Sequence, residues 1–320
     1  SWNFKNHPLL CSNSNKIEDA YKIIEKEWNN NFYKLKSNEE KLNDLFIKIY
    51  DISNEITPEI DEKDITIRKA NQERETKSLI SYAVGCMFGR FSLNQDGLIC
   101  TNNTIIDQNY GSFMYDKDNI IPITEDNYFE DDIVSRFKKF IEIVYGKETL
   151  YENLDFIADT LGKKTGENSE ETIRRYFIND FYNDHIKMYQ KRPIYWLFDS
   201  GKKNGFKCLI YMHRYNEGLV SKIRLDYLHR MQNTYEKELK DISEKLNGDV
   251  DLTSKRELSK RQADISAKLQ ETNEYDEKIA HIADQKIKID LDDGVAINYA
   301  KFSVKNPKTG KVESILAKIK

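Results

Sequence analysis

KRPIYWLFDSGKKNGFKCLIYMHRYNEGLVSKIRLDYLHR (residues 191–230) contains two apolar runs, Ile194–Phe198 and Phe206–Met212, on either side of a polar linker. Aromatic and branched residues bounded by glycine and asparagine are typical of a β-hairpin. The stretch carries nine Lys/Arg against three acids, in a chain whose net charge is -4. A basic hairpin that leads into a basic helix predicts a phosphate-binding face. The alternative is a buried hairpin whose lysines are merely solvated at its turn.

Upstream of this stretch, apolar residues recur at helical spacing. The pattern predicts an amphipathic helix over residues 16–36. A capping pair, Ser37 with Glu40, predicts that a second helix begins there and runs to about Ile52, so we expect an α-hairpin. Alternation over residues 64–68 (DITIR) predicts a short strand.

The most apolar part of the first half, residues 78–93, predicts a buried helix in which Gly85 and Gly89 permit close backbone approach. Residues 119–124 (NIIPIT) predict a strand, and Pro122 within it favours the edge of a sheet. The acids at 130–132 are expected to open a helix, because negative charge is favourable at a helix N-terminus. Three helices are predicted to follow, over 131–145, 148–161 and 170–189.

Downstream of the hairpin, two long charged helices are predicted, one from Glu217 to Leu246 and one from near Thr253. They predict an antiparallel coiled-coil hairpin over residues 217–289. Residues 290–301 are expected to form a turn that leads into a short apolar run, and residues 312–320 a last strand. The chain as a whole is predicted to be α+β and mostly helical. We expect two lobes: residues 1–185, helices with short strands, and residues 186–320, with the basic hairpin (191–215), the coiled-coil hairpin and the C-terminal strands.

Composition places the chain among folded proteins. Its length of 320 residues is enough for about two domains. Its residues are 39% hydrophobic and 12% aromatic, which is enough to form hydrophobic cores. No apolar run approaches the ~20 residues needed to cross a bilayer, so we expect a soluble protein. Four cysteines lie far apart without CxxC spacing, which predicts reduced thiols of a cytoplasmic protein rather than a zinc site; they are Cys11, Cys86, Cys100 and Cys208. The chain opens without methionine or a signal-peptide pattern, and we expect a fragment of a longer protein.

The sequence contains no recognisable catalytic constellation. It lacks the adjacent prolines of a base-flipping loop, a G-x-G-x-x-G loop, a P-loop and a G-x-S-x-G elbow. Its five histidines never fall at H-x-x-x-H spacing. Asp61-Glu62-Lys63 matches the D/E-x-K pattern of metal nucleases only at the level expected by chance, since 32% of the residues are charged. We therefore predict no catalytic, metal or cofactor-binding residues in this chain.

Four phrases carry a resemblance to a known family: SWNFKNHPLL (1–10), SYAVGCMFGRFSL (81–93), RPIYWLFDSGKKNGFKCLIYMHRYN (192–216) and DDGVAINYAKF (292–302). They resemble the C-terminal half of the PglX family, adenine-specific DNA methyltransferases of BREX phage-defence systems, and related single-chain adenine methyltransferases. The resemblance covers nearly the whole chain in the same order. It implies that the methyl-donor fold, its S-adenosylmethionine and the Asn-Pro-Pro-Tyr loop belong to an N-terminal half that is absent here. The remainder would be a target-recognition region that reads double-stranded DNA.

From the residues themselves we predict a DNA-binding face. Cations on the hairpin and the following helix would contact phosphates and bases, and Asn204 and Tyr215 would reach base edges. The predicted DNA-binding residues are Lys191, Arg192, Lys202, Lys203, Asn204, Lys207, Arg214, Tyr215, Lys222 and Arg224. The alternative is a docking module whose coiled-coil hairpin and acidic segment 115–132 bind other subunits of a defence complex. The sequence pI of about 5.9 favours that alternative, since isolated DNA-binding domains are usually basic.

Overall fold

The structure, a computed structural model, describes residues 6–12, 14–99, 111–248, 250–305 and 310–319. Helices dominate it, and the strands form two small antiparallel sheets. The prediction of a mostly helical α+β chain is therefore confirmed. The helices are α1 (Ile17–Tyr50), α2 (Gln72–Met87), α3 (Ile133–Tyr145), α4 (Leu150–Thr160), α5 (Ser169–Asn179), α6 (Phe181–Met188), α7 (Leu219–Lys222), α8 (His229–Leu246), α9 (Leu252–Asp284) and α10 (Gly294–Ala300). The strands are β1 (Ile121–Pro122), β2 (Tyr195–Asp199), β3 (Lys207–Tyr211), β4 (Ser303–Lys305) and β5 (Val312–Ser314).

The larger sheet has the strand order β1-β3-β2 and separates two hydrophobic clusters. Strands β2 and β3 form the predicted hairpin, with Leu197 opposite Leu209 and Phe198 opposite Cys208. Strand β1, which contains Pro122, lies at the edge, as predicted. Because side chains alternate along a strand, Leu197 and Leu209 join one cluster while Phe198 and Cys208 join the other. Both faces of the hairpin are therefore buried.

The first cluster is built from the beginning of α1 and from α2 to α6. Helix α2 is buried along most of its length, which confirms the predicted buried helix for residues 78–87; residues 88–93 lie beyond its end. At Gly85 an added Cβ would overlap the Phe91 ring, so the close approach predicted there is required by packing. Asp132 opens α3 by accepting a hydrogen bond from Ser135 N at 2.7 Å, as expected for an acid at a helix N-terminus.

The second cluster joins the hairpin to a pair of long helices, α8 and α9, and to the C-terminal strands. Two buried tyrosines tie these parts together. The Tyr235 hydroxyl donates to Gly205 O at 2.8 Å, and the Tyr275 hydroxyl donates to Ile315 O at 2.7 Å. The C-terminal segment then follows β2, where Ala317 N donates to Leu197 O at 2.8 Å. The helical hairpin is present; its classification as a coiled coil stays a prediction.

The predicted break at Ser37 is wrong. Helix α1 is continuous over 34 residues, because nothing between Ile17 and Tyr50 breaks a helix: the segment contains neither glycine nor proline. Glu40 does not cap a new helix; its Oε1 instead accepts a hydrogen bond from Ile60 N at 3.3 Å. The helix ends at Asp51, whose φ of 54° is left-handed.

Three further predictions differ from the structure. The strand predicted at 64–68 is absent, and the segment begins with a 3₁₀ turn over Glu62–Asp64. The helix predicted over 170–189 is divided into α5 and α6 at Asp180, which lies between them with φ -117° and ψ -39°. Residues 290–301, predicted as a turn and an apolar run, contain a short 3₁₀ turn and α10. At 64–68 and 290–301 the local pattern was too short to fix the type of element, whereas at 170–189 the type was right and only the break was missed.

The lobe boundary predicted at residue 185 stays a prediction. Tyr195 and Leu197 lie beyond it yet belong to the first cluster, whereas Ile120 and Phe129 lie before it and belong to the second. Among the described residues, no helix is both long enough and apolar enough to cross a membrane.

Candidate nucleic-acid interface

The hairpin turn, residues 200–205, is held by one carboxylate of α9. Ser200 Oγ and Gly205 N donate to Glu271 Oε1 at 2.7 and 3.0 Å, and Lys203 N donates to Glu271 Oε2 at 2.8 Å. At Gly201, where φ is 146°, an added Cβ would lie 2.7 Å from the Glu271 carboxylate. These bonds anchor the backbone of the turn to α9.

Two lysines project from this anchored turn. Lys202 and Lys203 are both exposed. Asn204, with a φ of 53°, supplies the left-handed residue that the turn needs, and its Nδ2 donates to Glu125 Oε1 at 3.2 Å. The result is a fixed backbone that carries two long, solvated cationic side chains.

A second pair of cations lies at the other end of β2. Lys191 and Arg192 are exposed in the turn between α6 and β2. Gln190 and Lys191 are consecutive left-handed residues with φ of 50° and 62°. Main-chain hydrogen bonds hold this turn: Lys191 N donates to Ile186 O, and Arg192 N to Tyr189 O, both at 2.9 Å. The two side chains line a groove of about 970 Å³ that is also bordered by Lys318 and α10.

A buried histidine fixes the start of the hairpin beside this turn. His185 Nε2 accepts hydrogen bonds from Ile194 N at 3.1 Å and from Tyr195 N at 3.2 Å. Its ring lies 4.8 Å from the Tyr195 ring and 4.5 Å from the Tyr189 ring. Burial, and then the nearby charge of Arg90, lower the pKa of His185 to about 3. The neutral imidazole is thus a structural acceptor, a role that no spacing pattern in the sequence could indicate.

Three of the predicted residues are occupied inside the fold. The buried Lys207 donates from Nζ to Ile178 O at 3.2 Å and lies 3.7 Å from Asp199 Oδ2. The buried Tyr215 hydroxyl donates to Ile287 O at 2.9 Å. Arg214 donates to main-chain carbonyls, among them Asp116 O at 2.8 Å. These side chains hold the hairpin and its flanks together.

Lys222 and Arg224 are paired with carboxylates. Arg224 makes a bidentate contact with Asp276 at 2.7 and 2.9 Å, which joins the segment before α8 to α9. Lys222 lies 3.6 Å from Asp118 and 3.2 Å from Asp226. Arg224 lies in a six-residue π-helix, Ile223–Leu228, that interrupts the predicted helix. The charge of both cations is therefore largely offset within the chain.

The surface beside Lys222 carries charges of both signs. Asp116, Asp118 and Asp131 line a recess together with Lys117, Arg136 and Lys222. Burial, and then the neighbouring Asp118 carboxyl, raise the pKa of Asp116 to about 7. The three carboxyls of the recess are therefore matched by three cations. Within the described residues, no group of His, Cys, Asp and Glu has the arrangement of a metal site.

The ten predicted residues thus do not form one continuous surface. Exposed cations remain in the turns at the two ends of the five-residue strand β2. The sequence predicted both pairs but not Glu271 or His185, which hold them. Whether these residues contact DNA stays a prediction.

The chain is similar to two adenine-specific methyltransferases. It is 42% identical over 309 residues to the adenine-specific methyltransferase PglX of Lacticaseibacillus casei (strain Zhang), a match over 94% of this chain and 26% of that protein. It is 44% identical over 239 residues to the adenine-specific methyltransferase BrxX of Escherichia coli O9:H4 (strain HS), a match over 70% of this chain and 20% of that protein. No family model matches. The predicted resemblance is confirmed, and the chain spans about a quarter or less of the length of these relatives.

Proposed function

We propose that this chain is part of an adenine-specific DNA methyltransferase of the PglX and BrxX type, and that it serves there as the C-terminal target-recognition region. In this proposal the chain binds double-stranded DNA. Methyl transfer and the methyl donor, S-adenosylmethionine, belong to the remainder of the parent polypeptide. The parent would act in a phage-defence or restriction-modification type system.

The observation that carries the DNA-binding proposal is the placement of the two exposed cation pairs. The chain has more acids than bases, and most of the cations around the hairpin are neutralised by carboxylates or carbonyls. Lys191 with Arg192 and Lys202 with Lys203 are the predicted cations that stay exposed without a carboxylate partner among the described residues. Selective exposure at both ends of one rigid strand is what a phosphate-contacting ridge requires.

We assign the two cation pairs to phosphates of the duplex. Phosphate contacts set the register of a protein on DNA, while base edges supply the sequence information. Asn204, beside the lysines in the anchored turn, is the residue we assign to base-edge contact. We leave Lys207 and Tyr215 out of this surface, because both side chains are buried with partners of their own.

The test uses the full-length methyltransferase and two double variants, Lys202→Ala/Lys203→Ala and Lys191→Ala/Arg192→Ala. Fluorescence anisotropy with a cognate duplex, measured across a salt series, gives the affinity and its dependence on salt. If both cations of a pair contact phosphates, the slope of log K against log salt should fall by about 1.8 for each variant. Asn204→Ala should instead cost about 1–3 kcal/mol and relax preference at one position of the target.

A matched control separates local contacts from net charge. Lys147→Ala/Lys164→Ala removes the same charge from two exposed lysines in the loops around α4, far along the chain from the hairpin. It should leave the slope unchanged. Equal slopes for the wild type and both test variants would refute the DNA-binding surface.

A second function is a docking role for the helical hairpin. Its support is the acidic balance of the chain, with 54 Asp/Glu against 50 Lys/Arg, and the length of α8 and α9, 18 and 33 residues. Replacing Ile242–Ile265 by a short Gly-Ser linker removes the far end of this hairpin and leaves the Glu271 contact in place. Loss of complex assembly with DNA binding intact would support docking, and intact assembly would argue against it.

A further inference from the structure

The second half of helix α1 presents an apolar surface with no partner among the described residues. The exposed fractions of Leu42, Leu45, Phe46, Ile49 and Tyr50 lie between 53% and 69%. The residues follow each other at three- and four-residue steps, so they form one stripe along about 12 Å of helix. Single exposed apolar side chains are ordinary, but a contiguous stripe of five large ones marks an interaction surface.

The stripe has the pattern of a coiled-coil seam. Leu42 and Ile49 are seven residues apart, and Leu45 lies between them at the position expected for the second apolar residue of a heptad. The other face of the same turn packs on this chain: Ile47 is buried, and Asn43 Nδ2 donates to Pro58 O at 3.3 Å. The apolar stripe therefore stays exposed although another face of α1 packs on this chain.

One flank of the stripe is basic. Lys34, Lys41 and Lys48 follow at seven-residue intervals, and all three are exposed. Seven residues return nearly to the same side of a helix, so these ammonium groups lie in one row beside the seam. Lys48 pairs with Asp44 at 2.7 Å. A partner helix would be matched to this row by carboxylates at its facing flank positions.

This charge row argues against a second copy of the chain. Two copies packed antiparallel would place one lysine row against the other, which is repulsive. Packed in parallel, they would gain only the two symmetry-related attractive pairs between Lys34 of each copy and Glu39 of the other. A helix with an acidic flank fits better than α1 itself.

The short length of the seam indicates where such a helix would come from. Coiled coils are identified by heptads that continue over about three to four repeats or more, and the exposed stripe covers fewer than two. A contact of this size can persist within one polypeptide, where the effective concentration of the partner reaches about the millimolar range. The relatives are about four times longer than this chain, so most of such a polypeptide lies outside it.

We propose that the stripe Leu42–Tyr50 is the docking site for an amphipathic helix with an acidic flank in the rest of the same methyltransferase polypeptide. The inference rests on the proposed membership of a larger methyltransferase, but not on DNA binding by the hairpin. Docking at α1 would fix the recognition region relative to the catalytic region. The stripe would then contact the rest of the polypeptide rather than DNA.

The test compares amide hydrogen exchange in the full-length wild type and in Leu45→Glu/Ile49→Glu. Both positions are exposed, so the substitutions leave the core of this chain intact. Exchange should quicken in residues 42–50 and in one helix outside this chain, by about tenfold or more, since a buried leucine contact is worth about 1.5–3 kcal/mol. Lys41→Glu should produce a smaller increase in the exchange rate of the same two segments, because it removes one attraction to the acidic flank. In the Lys41→Glu variant, replacing an acid of the second segment by lysine restores an opposite-charge pair and should return the exchange rates toward those of the wild type.

The control is Ile23→Glu, on the same helix and 52% exposed, but outside the stripe. It should change neither segment. Unchanged exchange outside α1 in the Leu45→Glu/Ile49→Glu variant would overturn the proposal, as would loss of a dimer in sedimentation, which would identify a second copy as the partner. The salt dependence of DNA binding, measured on the same variants, reports separately on the hairpin surface.

Discussion

At one end of β2, the Lys191 turn is held by main-chain hydrogen bonds from α6 and by the buried ring of His185. At the other end, the Lys203 turn is held by Glu271 of α9, which lies 66 residues after Gly205 in the sequence. Both ends display two cations, yet one is supported by local chain geometry and the other by a tertiary contact. Equal charges can thus depend on very different parts of the sequence, and substitutions should tell the two ends apart.

The largest effect is expected at His185 and depends on pH. Its pKa falls from 6.5 to about 3 in the folded protein. Because the folded-state pKa lies below the unfolded one, the unfolded chain takes up the proton first as the pH falls. Stability should therefore be lost between about pH 6.5 and 3, by roughly 5 kcal/mol from this group at 1.36 kcal/mol per unit. Urea unfolding of the wild type and His185→Gln across this range measures the difference between them.

His185→Gln keeps an acceptor but cannot titrate, so its stability should fall less steeply with acid, although it starts from a lower value. His281→Gln, at an exposed position, is the matched control and should follow the wild type. Other groups, Asp116 among them, titrate in every variant, so the difference isolates His185. Parallel curves for the wild type and His185→Gln would contradict the assignment.

A smaller effect is expected at Glu271. Glu271→Ala removes the acceptor of three hydrogen bonds in the turn, two of them from main-chain N–H groups. We expect a loss of about 2 kcal/mol in unfolding free energy, since the turn groups can partly turn to water. In the full-length enzyme the DNA affinity should also fall by about a few-fold. Without Glu271 the turn is no longer anchored, so binding must also order the backbone that carries Lys202 and Lys203.

Glu274→Ala removes an exposed acid about one turn further along α9 and should leave both quantities unchanged. The salt slope should be the same in Glu271→Ala as in the wild type, since both lysines remain. A large change in that slope would mean that Glu271 affects DNA through its charge rather than by holding the turn.

The contrast also shows what sequence patterns could predict. The hairpin followed from two apolar runs around Gly201 and Gly205, because both of its faces are buried and its turn needs special backbone geometry. The exposed cation pairs followed from their positions at its ends. Local signals were enough for these features.

The supports could not be predicted, because each is a pairing between distant residues. No local sequence signal distinguishes Glu271 from the other acids of a charged helix, and only its tertiary contact with the turn identifies its role. Arg224 was assigned to DNA because its partner Asp276 lies 52 residues away. The wrong prediction of a break at Ser37 came from a local pattern instead. Ser37 and Glu40 match a capping box, but in the continuous helix α1 the main-chain N–H groups there are hydrogen-bonded within the helix and need no cap.

The smallest effect is expected from backbone strain at Lys191. Its φ of 62° is unfavourable for a residue with a Cβ, so Lys191→Gly should be more stable than Lys191→Ala by about 1 kcal/mol, although both remove the same charge. At the other end of β2, Asn204 already tolerates its φ of 53°, but its side chain also bonds to Glu125, so glycine and alanine should both cost stability there. Thermal unfolding of the four single variants gives both differences. If Lys191→Gly and Lys191→Ala had equal stability, the α6–β2 turn would not store strain, and main-chain hydrogen bonds alone would account for its shape.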